Sequence, residues 1–148
     1  MKYRAIGNIT RISRCFSTYR KLKCPQIELK PHLQLLVSNI CRMPGKTQDE
    51  YSAMLCLDKT TVAHMMQKLE KQGLISRQVS EKDARCRCVY PTEKALEIYP
   101  VIHGAYESFR DAVMEGLGEA ELAELVRLTE IVYRNAVKLT EGMEVAEE

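Results

Sequence analysis

The sequence predicts a mainly α chain with a small two- to three-stranded β wing, a winged helix-turn-helix flanked by N- and C-terminal helices. Three observations predict it. Two short helical patterns meet at a tight turn between Thr47 and Gln72. After Gly73 the apolar period falls from about 3.6 residues to about 2, the change from helix to strand. Long amphipathic patterns over roughly 3–22 and 119–139 bracket that centre.

Residues 3 to 22 read as the first helix, with Ile9, Ile12, Phe16 and Tyr19 at helical spacing. Cys24-Pro25 breaks it. A second helix runs from about Pro31, which suits a first helical turn, to Met43, and stops at the turn signal Pro44-Gly45. Thr47 and Glu50 have the spacing of a reciprocal capping box and open a third helix that ends at Leu55. Cys56-Leu57 makes the turn, and Asp58 caps the next helix by accepting a bond from a first-turn N–H. There Val62, Met66 and Leu69 form an apolar stripe that Met65 widens. The opposite face carries Lys59, Thr60, Ala63, His64, Gln67, Lys68 and Lys71, and Gly73 sits where a glycine terminates a helix.

Leu74 to Ser80 then alternates, with Ile75 and Val79 on one face, and Cys86 to Tyr90 is β-branched and aromatic enough to return beside it. Glu81-Lys82-Asp83-Ala84-Arg85 makes a charged tip between them. Thr92 caps a long helix whose apolar side is Leu96, Tyr99, Ile102, Tyr106, Phe109 and Val113. Pro100 inside it removes one backbone bond to Leu96 and predicts a kink. Gly116-Leu117-Gly118 ends that helix, and a last one carries Leu122, Leu125, Leu128, Val132, Ala136 and Leu139 before an acidic tail from Glu141.

Two helices joined by a short turn, the one after Asp58 with a small, polar, basic outer face, suit insertion into a DNA major groove. Lys59, Thr60 and Thr61 in its first turn, and His64, Gln67 and Lys68 one and two turns on, are the candidate contacts to phosphates and base edges. Lys82 and Arg85 at the wing tip can meet a phosphate backbone or a minor groove, where negative potential favours arginine. Arg77 and Arg87 either reach the backbone or solvate the wing.

The run Thr47-Gln48-Asp49-Glu50, Leu57-Asp58-Lys59-Thr60-Thr61-Val62, Leu69-Glu70-Lys71-Gln72-Gly73-Leu74-Ile75, Asp83-Ala84-Arg85 and Thr92-Glu93-Lys94 resembles the MarR family of bacterial transcription regulators. The Asp-x-Arg tip followed by Thr-Glu-Lys is the sharpest part of the match. Cys56 departs from it, standing where the family usually has a turn glycine. The resemblance covers nearly all of the 148 residues. It implies one domain over 1–148, with dimerisation helices at 1–30 and 107–148, a DNA-binding region at 31–94 and a linking helix at 92–115. It also implies a homodimeric repressor on a palindromic operator of double-stranded DNA, released by a small phenolic or apolar effector. By the same resemblance Asp83 orients an arginine, and Ile12, Phe16, Tyr19, Tyr99 and His103 lie near the effector pocket. One branch of the family senses peroxides through a cysteine in the first helix, which makes Cys15, near Arg11, Arg14 and Tyr19, a redox candidate.

Composition sets the remaining bounds. The content is 45% hydrophobic and 28% charged, ordinary for a globular chain. The net charge of +2 hides an asymmetry: residues 1–30 hold eight Lys or Arg against one Glu, whereas residues 107–148 hold eleven acids against four bases. Complementary terminal helices follow, unless these are only solvated faces. There is no apolar run for a membrane span and no hydrophobic signal core, so the expected location is the cytoplasm. The six cysteines therefore read as free thiols, mostly small buried hydrophobes. His103 with Glu107, joined by Cys24 or His32, is the best metal set available, and neither a metal nor a cofactor is expected. Glycine-rich phosphate loops, His-Glu-x-x-His and nucleophile elbows are all missing, which leaves no case for an enzyme. Two other readings stay open: a thiol- or metal-responsive regulator of the same fold, and a winged-helix protein–protein adaptor without DNA binding.

Overall fold

A computed structural model describes residues 1–80 and 85–140. Lys82 and Asp83, expected at the wing tip, and the acidic tail from Glu141 lie outside the described residues. The chain forms two compact units, Met1–Phe109 and Arg110–Glu148. In order the elements are α1 (Lys2–Lys23), α2 (Pro31–Arg42), β1 (Lys46–Thr47), α3 (Gln48–Leu55), α4 (Lys59–Lys71), β2 (Ile75–Val79), β3 (Arg87–Pro91), α5 (Glu93–Val113) and α6 (Glu119–Thr140).

The core of the first unit gathers Leu36, Val37 and Ile40 of α2, Tyr51 of α3, and Val62, Met66 and Leu69 of α4. Leu74, Ile75, Val89 and Ala95 close it from the strands and the start of α5. The sheet is antiparallel in the order β1-β3-β2, with Lys46 opposite Val89 and Arg77 opposite Val89 on the other side. The third strand is β1, only two residues long. Ile75 is buried but Val79, on the same strand, is exposed, because it lies nearer the tip and beyond the reach of the helical core.

Local chemistry sets each boundary of the helix pair. The Thr47 hydroxyl accepts from the Glu50 N–H at 3.3 Å, and the Glu50 carboxylate accepts from the Thr47 N–H at 2.7 Å, which completes the capping box. Asp58 accepts from the Thr61 N–H at 2.7 Å and from its hydroxyl at 2.6 Å. The Thr61 hydroxyl, with the N–H beside it, holds the Asp58 carboxyl below the usual carboxylate range. Between the two helices Cys56 adopts φ 50 and ψ 43, the left-handed conformation that glycine takes without penalty. At the far end Gly73, with φ 68, lets Gly73 N–H reach Glu70 O at 3.0 Å and Leu74 N–H reach Leu69 O at 2.9 Å. That pair of bonds is a Schellman ending.

α5 continues through Pro100 and ends at Val113. In the second unit, α6 buries none of its residues; Leu125, Val126, Leu128, Ile131 and Val132 are all exposed.

Tyr51 joins α3 to the end of α2. Its ring is wholly buried and its hydroxyl donates to Met43 O at 2.7 Å. Tyr51→Phe is expected to cost about 1–2 kcal/mol, because it strands a carbonyl, and to lower the urea midpoint at unchanged slope. Burial also pushes the Tyr51 phenol up to about 12. The folded state then keeps a proton that the unfolded chain loses near pH ~10, so stability falls as pH rises between those values. A pH series of urea midpoints should show Tyr51→Phe without the Tyr51 share of that fall.

Candidate nucleic-acid interface

The apolar stripe of α4 faces inward without exception: Val62, Met66 and Leu69 have 0% exposure and Met65 has 5%. A helix has only one opposite side, so Lys59, Thr60, Thr61, His64, Gln67 and Lys68 are all exposed together. The expected contact residues thus share one surface, but their present partners differ. The Lys59 ammonium lies 2.8 Å from Asp49 of α3, with both side chains largely exposed. Such a surface pair is weak and can be exchanged for a phosphate. The Thr61 hydroxyl is already committed to Asp58. His64, Gln67 and Lys68 stand clear along the next two turns.

Arg87 is exposed at the start of β3, opposite Val79, and Arg85 is exposed at the turn before it. Arg77 is placed differently. Its guanidinium donates to Gln48 Oε1 at 3.3 Å, and its Nε lies 3.4 Å from Glu70 Oε2. It therefore ties β2 to α3 and α4 at once. Of the two roles the sequence left open for Arg77, the geometry adds a third, an internal brace.

His32 is the residue that sequence reasoning undervalued. It is exposed in the first turn of α2, and its pKa is pushed down by desolvation, then by Lys30, Lys68 and Arg20. It therefore shares the positive field of the α4 face. The sequence signal is Lys30-Pro31-His32, a histidine beside a cation in a first helical turn.

The residues expected near an effector are partly brought together. Phe16 meets Tyr106 at 5.8 Å and Phe109 at 4.9 Å between ring centroids, and Tyr19 meets Phe109 at 5.5 Å. Tyr99 stacks on His103 at 5.2 Å, and His103 faces Tyr106 at 6.3 Å. Tyr106 and Phe109 thus link all four into one chain of rings between α1 and α5, whereas Ile12 remains exposed. A cavity of about 540 Å³ lies elsewhere, between the end of α1 and the start of α2, among Lys21, Cys24, Pro25, Leu29, Lys30 and Gln34. None of the five expected residues lines it.

Arg20, 4% exposed, stacks its guanidinium 4.5 Å from the Phe16 ring centre, and burial pushes its pKa down. Cys15 is exposed on α1. Burial raises the Cys24 thiol, and raises the Cys41 thiol to about 11. His103 Nε2 lies 3.6 Å from Glu107, but neither Cys24 nor His32 joins them. Among the described residues, no three His, Cys, Asp or Glu side chains are placed to hold a metal ion. No helix among them is long and apolar enough to cross a membrane.

Known proteins share this fold. The model of the MarR family matches residues 32–87. A Bacillus subtilis (strain 168) protein, the uncharacterized HTH-type transcriptional regulator YybA, is 26% identical over 130 residues, which is 88% of this chain and 87% of the relative. A crystal structure of the transcriptional regulator SlyA has a TM-score of 0.85 at 25% identity, covering 93% of this chain and 96% of that one. Streptococcus pneumoniae FabT in complex with DNA has a TM-score of 0.75 at 20% identity, covering 94% and 99%. At that identity the likeness is one of fold.

The two strand arginines should separate in experiment. Arg77→Ala is expected to lower stability by about 1 kcal/mol and leave the salt slope of duplex binding unchanged. Arg87→Ala should shift stability by less than about 0.5 kcal/mol and reduce that slope by about one phosphate contact. Urea midpoints and binding across a salt series measure both, and the reverse pattern would put Arg77 on the DNA.

Proposed function

We propose that this chain, whose residues 32–87 match the model of the MarR family, acts as a DNA-binding transcriptional regulator, a homodimeric, ligand-responsive repressor on a palindromic operator. The observation that carries this reading is the exposed face of α4 from Lys59 to Lys68, set opposite a stripe with no exposure. Lys68, Gln67 and His64 meet base edges and phosphates, Lys59 releases Asp49 for a phosphate, and Arg85 and Arg87 follow the backbone at the wing. Base contacts then contribute discrimination, while phosphate contacts set affinity and its salt dependence.

The dimer is supported by apolar residues that have no cover within either unit. Ile6, Ile9 and Ile12 on α1 and the exposed stripe of α6 are what a second copy would bury. The terminal charges are complementary, basic over 1–30 and acidic over 107–148. Two copies related by a two-fold axis would present two α4 helices to successive major grooves, about 34 Å apart on a palindrome. The effector belongs beside the ring chain of Phe16, Tyr19, Tyr99 and His103, where a phenolic or apolar molecule would alter the spacing of the two α4 helices. The cellular site of such a regulator is the cytoplasm. A thiol-switched version of the same output is favoured by one observation, the exposure of Cys15 next to Phe16 in the ring chain.

Binding of the purified protein to the DNA upstream of its own coding sequence, across a salt series, tests the reading. The expected result is tight binding that beats random duplex, a steep salt slope, and a loss of about tenfold or more for Lys68→Ala and Arg85→Ala. Absence of binding to any duplex would contradict it and favour a protein–protein adaptor.

A further inference from the structure

The Schellman ending of α4 leaves three successive carbonyls, those of Gln72, Gly73 and Leu74, without partners in the helix itself. All three are taken by the start of α5. Lys94 Nζ donates to Gln72 O at 2.8 Å, the Thr92 hydroxyl donates to Gly73 O at 2.7 Å, and the Thr92 N–H donates to Leu74 O at 3.1 Å. The same Thr92 oxygen accepts from the Ala95 N–H at 3.4 Å, so one side chain both caps α5 and holds the end of α4. The Lys94 cation also lies at the negative end of the α4 dipole, where a positive charge is favoured. Ala95, in the next position, is wholly buried against the core and prevents the corner from sliding.

From this corner we infer that Thr92 and Lys94 are positioning residues for DNA recognition. They fix the tilt of α4 to the first turn of α5, the helix that carries Tyr99, His103 and Tyr106 further along. Neither residue needs to touch DNA. A rigid corner converts any reorientation of α5 into a rotation of the recognition helix, and a loose one would let α4 find the groove without holding its register. Base contacts depend on that register far more than phosphate contacts do. The inference rests on the regulator reading above, since only a helix that reads bases needs its tilt fixed.

Thr92→Val and Lys94→Met test it, with Thr92→Ser and Lys94→Arg as the variants that keep each donor. Each is compared with the unsubstituted protein on the upstream duplex and on random duplex, across salt, with amide exchange of residues 72–75 followed on the free protein. The expected result is a loss of about tenfold on the upstream duplex, the scale of one charge-assisted hydrogen bond, with little change on random DNA. The salt slope should stay the same, exchange at the corner should quicken, and the Ser and Arg variants should restore both the binding to the upstream duplex and the slow exchange. Lys94 is exposed, so Lys94→Met carries the test if Thr92→Val does not fold.

An equal loss on both duplexes, with a salt slope lower by about one for Lys94→Met, would make Lys94 a direct phosphate contact and overturn the inference. An unchanged preference for the upstream duplex in both variants would also overturn it. If the unsubstituted protein prefers no duplex, the regulator reading fails and the positioning role fails with it. That result appears before any variant is compared, so the two failures are distinguishable.

Discussion

Complete burial of Val62, Met66 and Leu69 is the constraint on which the rest of the molecule depends. These side chains fall on one stripe of α4 and pack against Leu36, Val37 and Ile40 of α2 and Tyr51 of α3. Exposing any one of them would cost on the order of 1.5–3 kcal/mol, so α4 cannot roll about its axis. Its polar face is therefore turned outward by the core and needs no contact of its own to hold it there. The caps act at the two ends of the same helix. Asp58 marks where it begins, and the corner of Gly73, Thr92 and Lys94 marks where it stops and what it is joined to.

Function follows from that division of labour between the two faces. The inward face is apolar and wholly buried, while the outward face holds polar groups, among them Lys59, whose present partner is a weak one. The Lys59–Asp49 pair is an example, since both side chains are mostly in water and little would be lost if a phosphate replaced the carboxylate. Arg77 is the counterexample. Held between Gln48 and Glu70, it supports the surface from beneath. A basic residue near a DNA-binding surface can thus belong to the frame of that surface.

Much of this was legible in the sequence because the signals are local. Thr47 with Glu50, Asp58 before a helix, and Gly73 after one each act within four residues, and all appear in the structure as hydrogen bonds or a left-handed φ. The β1 strand was not legible, because two residues have no period and Lys46–Thr47 is a strand only through pairing with Val89 and Cys88, more than forty positions away. The brace at Arg77 depends on Gln48 and Glu70 arriving from two other elements, which residue type and spacing do not encode. The same holds for the carbonyls taken by Thr92 and Lys94: the Thr-Glu-Lys run marked a helix start, but the far partner lay in the fold. Cys56 shows a different limit. A non-glycine residue in the left-handed region is uncommon, and only the sharp turn between α3 and α4 explains its placement.

The most direct test of the outward face of α4 as the base-reading surface is chemical protection of a bound duplex by dimethyl sulfate, which methylates guanine N7 in the major groove and adenine N3 in the minor groove. Two patches of guanine N7 protection, centred about 10 base pairs apart, are predicted for two α4 helices in successive major grooves. Adenine N3 protection, from the wings, should be confined to the flanks. Full N7 reactivity across the bound site, with protection only at adenine N3, would contradict it and move recognition from α4 to the wing.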